Sequence, residues 1–323
     1  MQKKISVVIP TYKRLDLLLN CLNALNKQTI PLCDYEVIVV ADGPDYNTAE
    51  ILSLWQHTSK MDLRFLYTPT RKGPAAARNL GWLSARAKLI AFTDDDCLPD
   101  RNWLRIILEA YHNEDLVAFT GKTIVPMSKK PTDYELNISH LATADFITAN
   151  CVCTKNALIS VGGFDEAFKM AWREDSDLEF KLLQHQIPIH RIETAVVVHP
   201  IRKAKWGVSI KDQKKSLYDV LLFKKYPQLY DQKIRSGGIF DYYVICGAWL
   251  MALIFLLLGI VAGAKVAVIL LLFGVVKFAY RRLAPTRKTF GHVLEMVVTS
   301  IAIPFVSLYW RFYGSIKFKK LLI

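Results

Sequence analysis

Three carboxylates stand side by side in Asp94-Asp95-Asp96, directly after the apolar run Leu89-Ile90-Ala91-Phe92 and Thr93. Adjacent like charges repel, so a fold gains nothing from setting three of them at the mouth of a strand. A divalent cation would supply the compensation. Hard ions such as Mg2+ or Mn2+ take oxygen ligands, typically one or two carboxylates together with substrate phosphates. A solvated acidic turn is the plain alternative. Against it stands a second acidic cluster, Trp172-Arg173-Glu174-Asp175-Ser176-Asp177-Leu178. Acidic residues at a helix start often serve as caps. Two such clusters in different surroundings suit a division of labour, one for metal and diphosphate, the other for deprotonating a hydroxyl. Arg78 lies on the otherwise apolar Gly73-Pro74-Ala75-Ala76-Ala77-Arg78-Asn79. It could orient the carboxylates, grip a diphosphate through paired hydrogen bonds, or form a structural salt bridge. His199, before Pro200, could reach the same place as a metal or phosphate contact.

These residues need elements to position them. Ile5–Ile9, Tyr35–Val40, Leu63–Tyr67 and Leu89–Phe92 read as strands. Helical patterns over Leu15–Leu25, Asn47–His57 and Gly73–Arg86 separate them. Such alternation predicts a mostly parallel sheet covered on both faces, with ligands beyond the carboxyl ends of its strands. Thr11, Asp42 and Asp94 to Asp96 all follow strands. Further on, strands are expected over Val117–Val125, Phe146–Thr154 and Thr194–His199, with a loop over 126–145 and helices at Lys155–Ser160 and Asp175–Gln186. The turn Pro10-Thr11-Tyr12-Lys13-Arg14 is not the Gly-rich turn of a dinucleotide fold, and no GxxxxGK[ST] phosphate loop is present.

The net charge of +13 is unevenly spread. Residues 1–200 hold 22 Lys and Arg against 24 Asp and Glu, whereas residues 201–323 hold 20 against 5. The basic part is also the apolar part, so an anionic membrane surface suits it better than nucleic acid, for which no signature is present. Lys205–Tyr226 reads as one amphipathic helix, either docked on the protein or lying on a membrane. Tyr242–Ala264 is uncharged for 23 residues, against roughly 20 needed to span a bilayer. Val266–Val276 lies between Lys265 and Lys277, with Gly263 as the expected hairpin turn. Two spans are expected, about 240–262 and 264–281, with a third, ambiguous segment at about 291–313. The basic stretches Arg281-Arg282, Arg287-Lys288 and Lys317 to Lys320 favour the cytoplasmic side. Six scattered cysteines without a CxxC pair suit reduced thiols. The start Met1-Gln2-Lys3-Lys4 carries too short an apolar run for a signal peptide, so the first 200 residues are expected in the cytoplasm.

Six pieces occur in order over residues 5–180: Ser6-Val7-Val8-Ile9-Pro10-Thr11-Tyr12, Ala41-Asp42-Gly43, Ala77-Arg78-Asn79, Thr93-Asp94-Asp95-Asp96, Gly162-Gly163-Phe164-Asp165-Glu166 and Glu174-Asp175-Ser176-Asp177-Leu178. Together they resemble the family 2 inverting glycosyltransferases of GT-A fold. The resemblance implies an α/β nucleotide-diphospho-sugar transferase domain over 1–203, a mixed, mostly parallel sheet flanked by helices. An amphipathic membrane-surface helix and linker over 204–238 and an α-helical membrane region over 239–323 would follow. It places Pro10, Thr11, Tyr12, Asp42, Arg78, Asp94 and Asp95 on the nucleotide-sugar, and Mn2+ or Mg2+ on Asp94 and Asp96; His199, by its own position at the end of a strand, is a further candidate ligand. Asp175 would be the general base, with Asn150, Trp172 and Glu174 on the acceptor side. Ala41 and Cys97 stand where the family often has further acidic residues.

The expected activity is transfer from a nucleotide-sugar to a hydroxyl of a lipid-linked saccharide, in cell-envelope polysaccharide synthesis at the inner membrane. A polyprenyl-phosphate glycosyltransferase is the alternative; its acceptor is already ionised and needs no base. A nucleotidyltransferase would also use carboxylates and metal, but with a Gly/Lys-rich phosphate loop near the N-terminus. An idle membrane scaffold is a third class. Neither donor sugar nor oligomeric state is readable.

Overall fold

The computed structural model describes residues 3–235 and 239–322. In chain order the first elements are β1 (Ile5–Thr11), α1 (Leu15–Leu25), β2 (Tyr35–Ala41), α2 (Tyr46–Thr58), β3 (Leu63–Tyr67), α3 (Pro74–Leu83) and β4 (Leu89–Phe92). They are followed by β5 (Leu98–Pro99), α4 (Trp103–Ala110), β6 (Ala118–Ile124), α5 (Asp133–Ser139), β7 (Cys151–Thr154), α6 (Lys155–Val161), α7 (Glu174–Gln184) and β8 (Ile189–Val198). The remainder is helical: α8 (Val208–Asp212), α9 (Ser216–Lys225), α10 (Pro227–Lys233), α11 (Phe240–Leu257), α12 (Val261–Leu283) and α13 (Phe290–Phe318). The chain divides into one unit of residues 1–126 and 139–201 and another of 127–138 and 202–323.

In the first unit the sheet runs β3-β2-β1-β4-β7-β6-β8-β5. β3, β2, β1 and β4 are parallel; β7 runs antiparallel to both neighbours, and β5 antiparallel to β8. Side chains alternate along a strand, so β1 sends Ile5, Val7 and Ile9 to one face and Val8 to the other. Leu18, Leu22 and Leu25 of α1 and Trp103 and Ile107 of α4 cover the first face. Ala75, Ala77 and Trp82 of α3, Leu158 of α6 and Leu178 and Leu182 of α7 cover the second.

Helix α3 lies so close to β1 that a Cβ at Gly81 would overlap Cγ1 of the buried Val8. Val8 is β-branched and stiff, so it cannot swing away. Gly81→Ala is expected to destabilise by about 1–3 kcal/mol through overpacking, less up to about 1 kcal/mol of recovered helix propensity. A fall in the denaturation midpoint of the full chain would show it.

Several elements differ from the sequence reading. Residues 126–145, expected as loop, contain α5 and a 3-10 turn at His140–Ala142. Only Cys151–Thr154 of the expected 146–154 strand is paired, and β5 and α4 had not been anticipated. The single helix expected over Lys205–Tyr226 is α8, a 3-10 turn at Gln213–Lys215 and α9. α9 buries Leu217, Tyr218, Val220, Leu221 and Leu222, more than one stripe of its surface.

Among the described residues of the second unit, three helices are long and apolar enough to cross a membrane: α11, α12 and the 29-residue α13. The third, ambiguous from sequence, is one continuous helix despite Pro304. The turn between α11 and α12 lies at Gly259, not Gly263. Gly259 has φ +72°, the left-handed conformation that ends a helix, and Ile260 N–H closes the cap on Phe255 O at 2.8 Å. Gly263 is inside α12, where a Cβ would meet the Phe255 ring at 2.9 Å.

Candidate active site

β1 pairs with β2 along its whole length but with β4 only as far as Val8↔Phe92. Pro10 has no N–H to continue a ladder, and beyond Val8 the sheet opens. On either side of this point the chain order runs in opposite directions, which is where open α/β sheets bind ligands. Thr11, Asp42 and the triple aspartate all sit at this opening.

On the β2 side, Asp42 N–H donates to Thr11 O at 2.9 Å, fixing the two strand ends together. Asp42 Oδ1 accepts from the amides of Lys72 (2.7 Å) and Gly73 (2.9 Å). Gly73 has φ +104°, and a Cβ there would stand 2.7 Å from Lys169 O, so only glycine fits this turn. The Arg71 guanidinium lies 4.1 Å from the centre of the Tyr12 ring and 3.7 Å from Asp42 Oδ2. A shelf of aromatic ring, cation and carboxylate results.

On the β4 side, Thr11 Oγ1 donates to Asp95 Oδ2 at 2.7 Å. Arg14 reaches Asp95 Oδ1 at 3.0 Å and Asp96 Oδ2 at 3.8 Å. Burial raises the Asp95 pKa to about 6, against the pull of Arg14 and Thr11. Asp96 meets His199 because Leu98-Pro99, just downstream, pairs with Val197-Val198 at the end of β8. His199 Nε2 is 3.6 Å from Asp96 Oδ1. Its Nδ1 is buried with no hydrogen-bond partner among the described residues. Asp94, Asp96, Cys97 and His199 offer ligand atoms that all lie within 4.8 Å of one another, a group that could hold a divalent cation. Burial and the neighbouring carboxylates push the Cys97 thiol well above its ordinary pKa; the oxygen donors of the group, which a hard divalent ion prefers, come from Asp94 and Asp96.

Arg78 joins the two acidic clusters. Its guanidinium, 2% exposed, donates to Asp94 Oδ1 at 2.8 Å and to Glu174 Oε1 at 3.0 Å. Burial works to raise the Asp94 pKa, but Arg78 and His199 overcome it and hold Asp94 below the usual carboxylate range. Glu174 and Asp175 open α7, and burial pushes both upward. Asp175 Oδ1 accepts from Ser176 N–H at 2.7 Å. Arg173, just before them, takes a left-handed backbone (φ +73°) and lays its guanidinium 4.6 Å from the Trp172 ring centre. Strained conformations of this kind concentrate at functional sites.

Asn150, expected near the acceptor, is 1% exposed and spends its amide on the fold. Its Nδ2 donates to Lys122 O and Ala195 O, and its Oδ1 accepts from Trp103 Nε1. Arg14, Arg71 and Cys97 belong to the site but were not assigned to it from sequence. The signal available was slight: basic residues in the loops that follow β1 and precede α3.

The glycosyl transferase family 2 model matches residues 6–168, half of the chain. The chain belongs to that family. Among curated family 2 relatives, it is 27% identical over 292 residues to the pre-mycofactocin glycosyltransferase of Mycobacterium tuberculosis, covering 82% of this chain and 57% of that protein. It is 38% identical over 100 residues to glycosyltransferase AglE of Haloferax volcanii, 31% of this chain and 33% of that one. The chain thus spans from a third to somewhat over half of these relatives. Among solved structures, a mannosyltransferase from Pyrobaculum calidifontis, in complex with GDP-Man and Mn2+, superposes with TM-score 0.58 at 17% identity, covering 96% of this chain and 88% of that one. The mixed, mostly parallel sheet with flanking helices is the GT-A fold of this family 2 protein.

Proposed function

We propose that the chain is a metal-dependent inverting glycosyltransferase of the cell inner membrane, with its first unit on the cytoplasmic side. It moves a sugar from a nucleotide-sugar to a hydroxyl of a lipid-linked saccharide in envelope polysaccharide assembly. The observation that carries this reading is the Arg78 bridge, which joins the metal-type cluster to the base-type cluster through one buried guanidinium. The membrane part rests on the three apolar helices and their basic flanks.

In this reading the shelf of Tyr12, Arg71 and Asp42 takes the nucleoside, and Pro10, Thr11 and Asp95 shape the floor beneath it. Asp94, Asp96 and His199 would hold the ion; an imidazole among the donors suits Mn2+ better than Mg2+. When bound, the ion supplies positive charge against the departing diphosphate. Arg78 keeps Asp94 ionised and fixes one of its oxygens by a hydrogen bond. Asp175 removes the proton from the acceptor hydroxyl, whose oxygen attacks the anomeric carbon opposite the leaving nucleoside diphosphate. That carbon's bond to the diphosphate breaks, and its configuration inverts. Trp172 and Glu174 flank the acceptor. A phosphate acceptor would need no base, so the raised pKa of the Glu174–Asp175 pair favours a hydroxyl.

The test is release of nucleoside diphosphate from a panel of nucleotide-sugars. One donor is expected to turn over with Mn2+ and to stop with EDTA, and Asp96→Asn should weaken Mn2+ binding by at least about 10-fold. Turnover unaffected by EDTA would remove the metal from the reading.

A further inference from the structure

The second unit contains two arginines with opposite circumstances, Arg282 half-buried and Arg311 buried. Arg282, on α12, is fully provided for. It donates to Asp133 Oδ1 and Oδ2 at 3.2 and 2.6 Å, to Thr299 and Ser300 hydroxyls at 2.7 and 3.0 Å, and to Ser209 at 3.2 Å. Arg311, on α13, is 6% exposed, yet no carboxylate among the described residues forms an ion pair with it. Other carboxylates of the unit are engaged elsewhere: Asp241 with Lys277 and Arg281, Asp212 with Lys215, and Glu295 with Gly207 N–H. A buried cation without a counter-charge is costly, and in an apolar helix it marks a functional position unless something neutralises it.

Its surroundings indicate what does so. Ser307, Arg311 and Gly314 lie on the stripe of α13 that is buried, so Arg311 points into the protein and not out along a lipid-facing side. At Gly314 a Cβ would stand 3.1 Å from Val220 of α9, which shows how closely the two helices approach there. Beside Arg311 in sequence is an aromatic cluster: Tyr309 and Tyr313 stack, and Trp310 meets both edge-to-face, with ring centres 5.3 to 6.4 Å apart. Tryptophan and tyrosine gather at the headgroup level of a bilayer. Lys214 holds its ammonium 5.3 Å from the Trp310 ring. Lys317 follows six residues after Arg311, about 9 Å along the helix. A buried guanidinium with no ion-pair partner among the described residues, beside an aromatic cluster of the kind found at headgroup level and near a further cation, is suited to a phosphate on an amphiphile, which guanidinium binds in paired hydrogen bonds.

We propose that Arg311 anchors the phosphate group of a lipid, with Lys214 as a second cation, so that this unit recognises its lipid by the phosphate and not only by the chain. The proposal rests on the membrane reading above and deepens it: the lipid that carries the acceptor saccharide is held by its phosphate linkage. It makes no use of the donor site.

The full chain in detergent micelles is titrated, without metal or nucleotide-sugar, with an isoprenoid monophosphate, with the matching isoprenol and with inorganic phosphate. Binding is read by thermal shift and by native mass spectrometry. The isoprenoid phosphate is expected to bind saturably and the isoprenol at least about 10-fold more weakly. Arg311→Gln should lose about 10-fold or more of the phosphate-dependent affinity, and Arg311→Lys should recover part of it. Inorganic phosphate that competes at higher concentration supports a lipid phosphate. Inorganic phosphate that binds as tightly as the isoprenoid phosphate overturns the lipid assignment. Equal binding of isoprenol and its phosphate, or unchanged binding in Arg311→Gln, overturns the site. If Arg311→Gln does not fold, the isoprenol comparison on the unaltered chain and the Arg311→Lys variant still decide it. Because no donor or metal is present, failure here leaves the donor-side reading standing, and failure of that reading leaves this result standing.

Discussion

If Asp175 is the base proposed above, Asp175→Asn is expected to lower the rate of sugar transfer by about 10²–10⁴-fold while donor affinity stays within a few-fold of the parent chain. The size follows from what a positioned general base contributes to a transition state. The selectivity follows from placement: Asp175 opens α7, whereas the shelf proposed to take the nucleoside is made by the ends of β1 and β2 and the loop before α3. Asn keeps the side-chain oxygen that accepts from Ser176 N–H, so the helix start survives and only the proton acceptor goes. The pH profile gives a second reading of the same group. A base works in its ionised form, and burial raises the pKa of this carboxyl and of Glu174 beside it. Turnover should therefore climb with pH through an apparent pKa above the ordinary carboxylate value of about 4, and this limb should vanish in Asp175→Asn. Donor binding by calorimetry and product formation across pH check both. Loss of donor binding together with transfer would place Asp175 on the nucleotide instead.

Arg78→Met should unfold the first unit more readily, by about 3 kcal/mol, the cost of leaving buried carboxylates without their cation. Glu174 is 4% exposed and feels this in full; Asp94 is 26% exposed and water replaces part of what it loses. For a unit of this size the change corresponds to a fall of about 6–12 °C in Tm. The sign of its pH dependence follows from Asp94, whose pKa is held low in the folded state. That stabilisation is complete above the unfolded pKa of about 4 and is lost as pH falls through the depressed folded value. The gap between variant and parent should therefore be widest near neutrality and narrow in acid. Thermal unfolding by near-UV circular dichroism at several pH values would show it. A variant as stable as the parent would mean that the bridge is incidental.

Legibility from the sequence varied with the range of the interaction involved. The strand–helix alternation of the first hundred residues is a local signal, because periodicity reports which face of an element meets apolar neighbours. It placed β1 to β4 and α1 to α3 to within a few residues. Elements without a periodicity of their own were missed: β5 is two residues long, and α5 lies in a stretch read as loop. Gly263 is the expected hairpin turn because it stands between the two apolar runs, whereas backbone handedness places the turn at Gly259. In the site, the acidic residues stood out by type and position after strands. Arg14 and Arg71 did not, because a basic residue in a loop has no pattern until its partner is known.

By itself, then, the sequence determined the alternating architecture, the residues that ionise and the apolar, basic character of the last hundred positions, since each of these is a property of neighbours along the chain. Only the tertiary structure decided which charges meet. Asp94 and Glu174 are eighty residues apart and share one guanidinium; Asp96 and His199 are brought together by the two-residue pairing of β5 with β8. Electrostatic energy depends on distance in space and on burial, and neither is written in sequence spacing. The same reason separates Arg282 from Arg311, alike in the sequence as cations in apolar helices, and distinct once packing gives one of them Asp133 and buries the other with no carboxylate partner among the described residues.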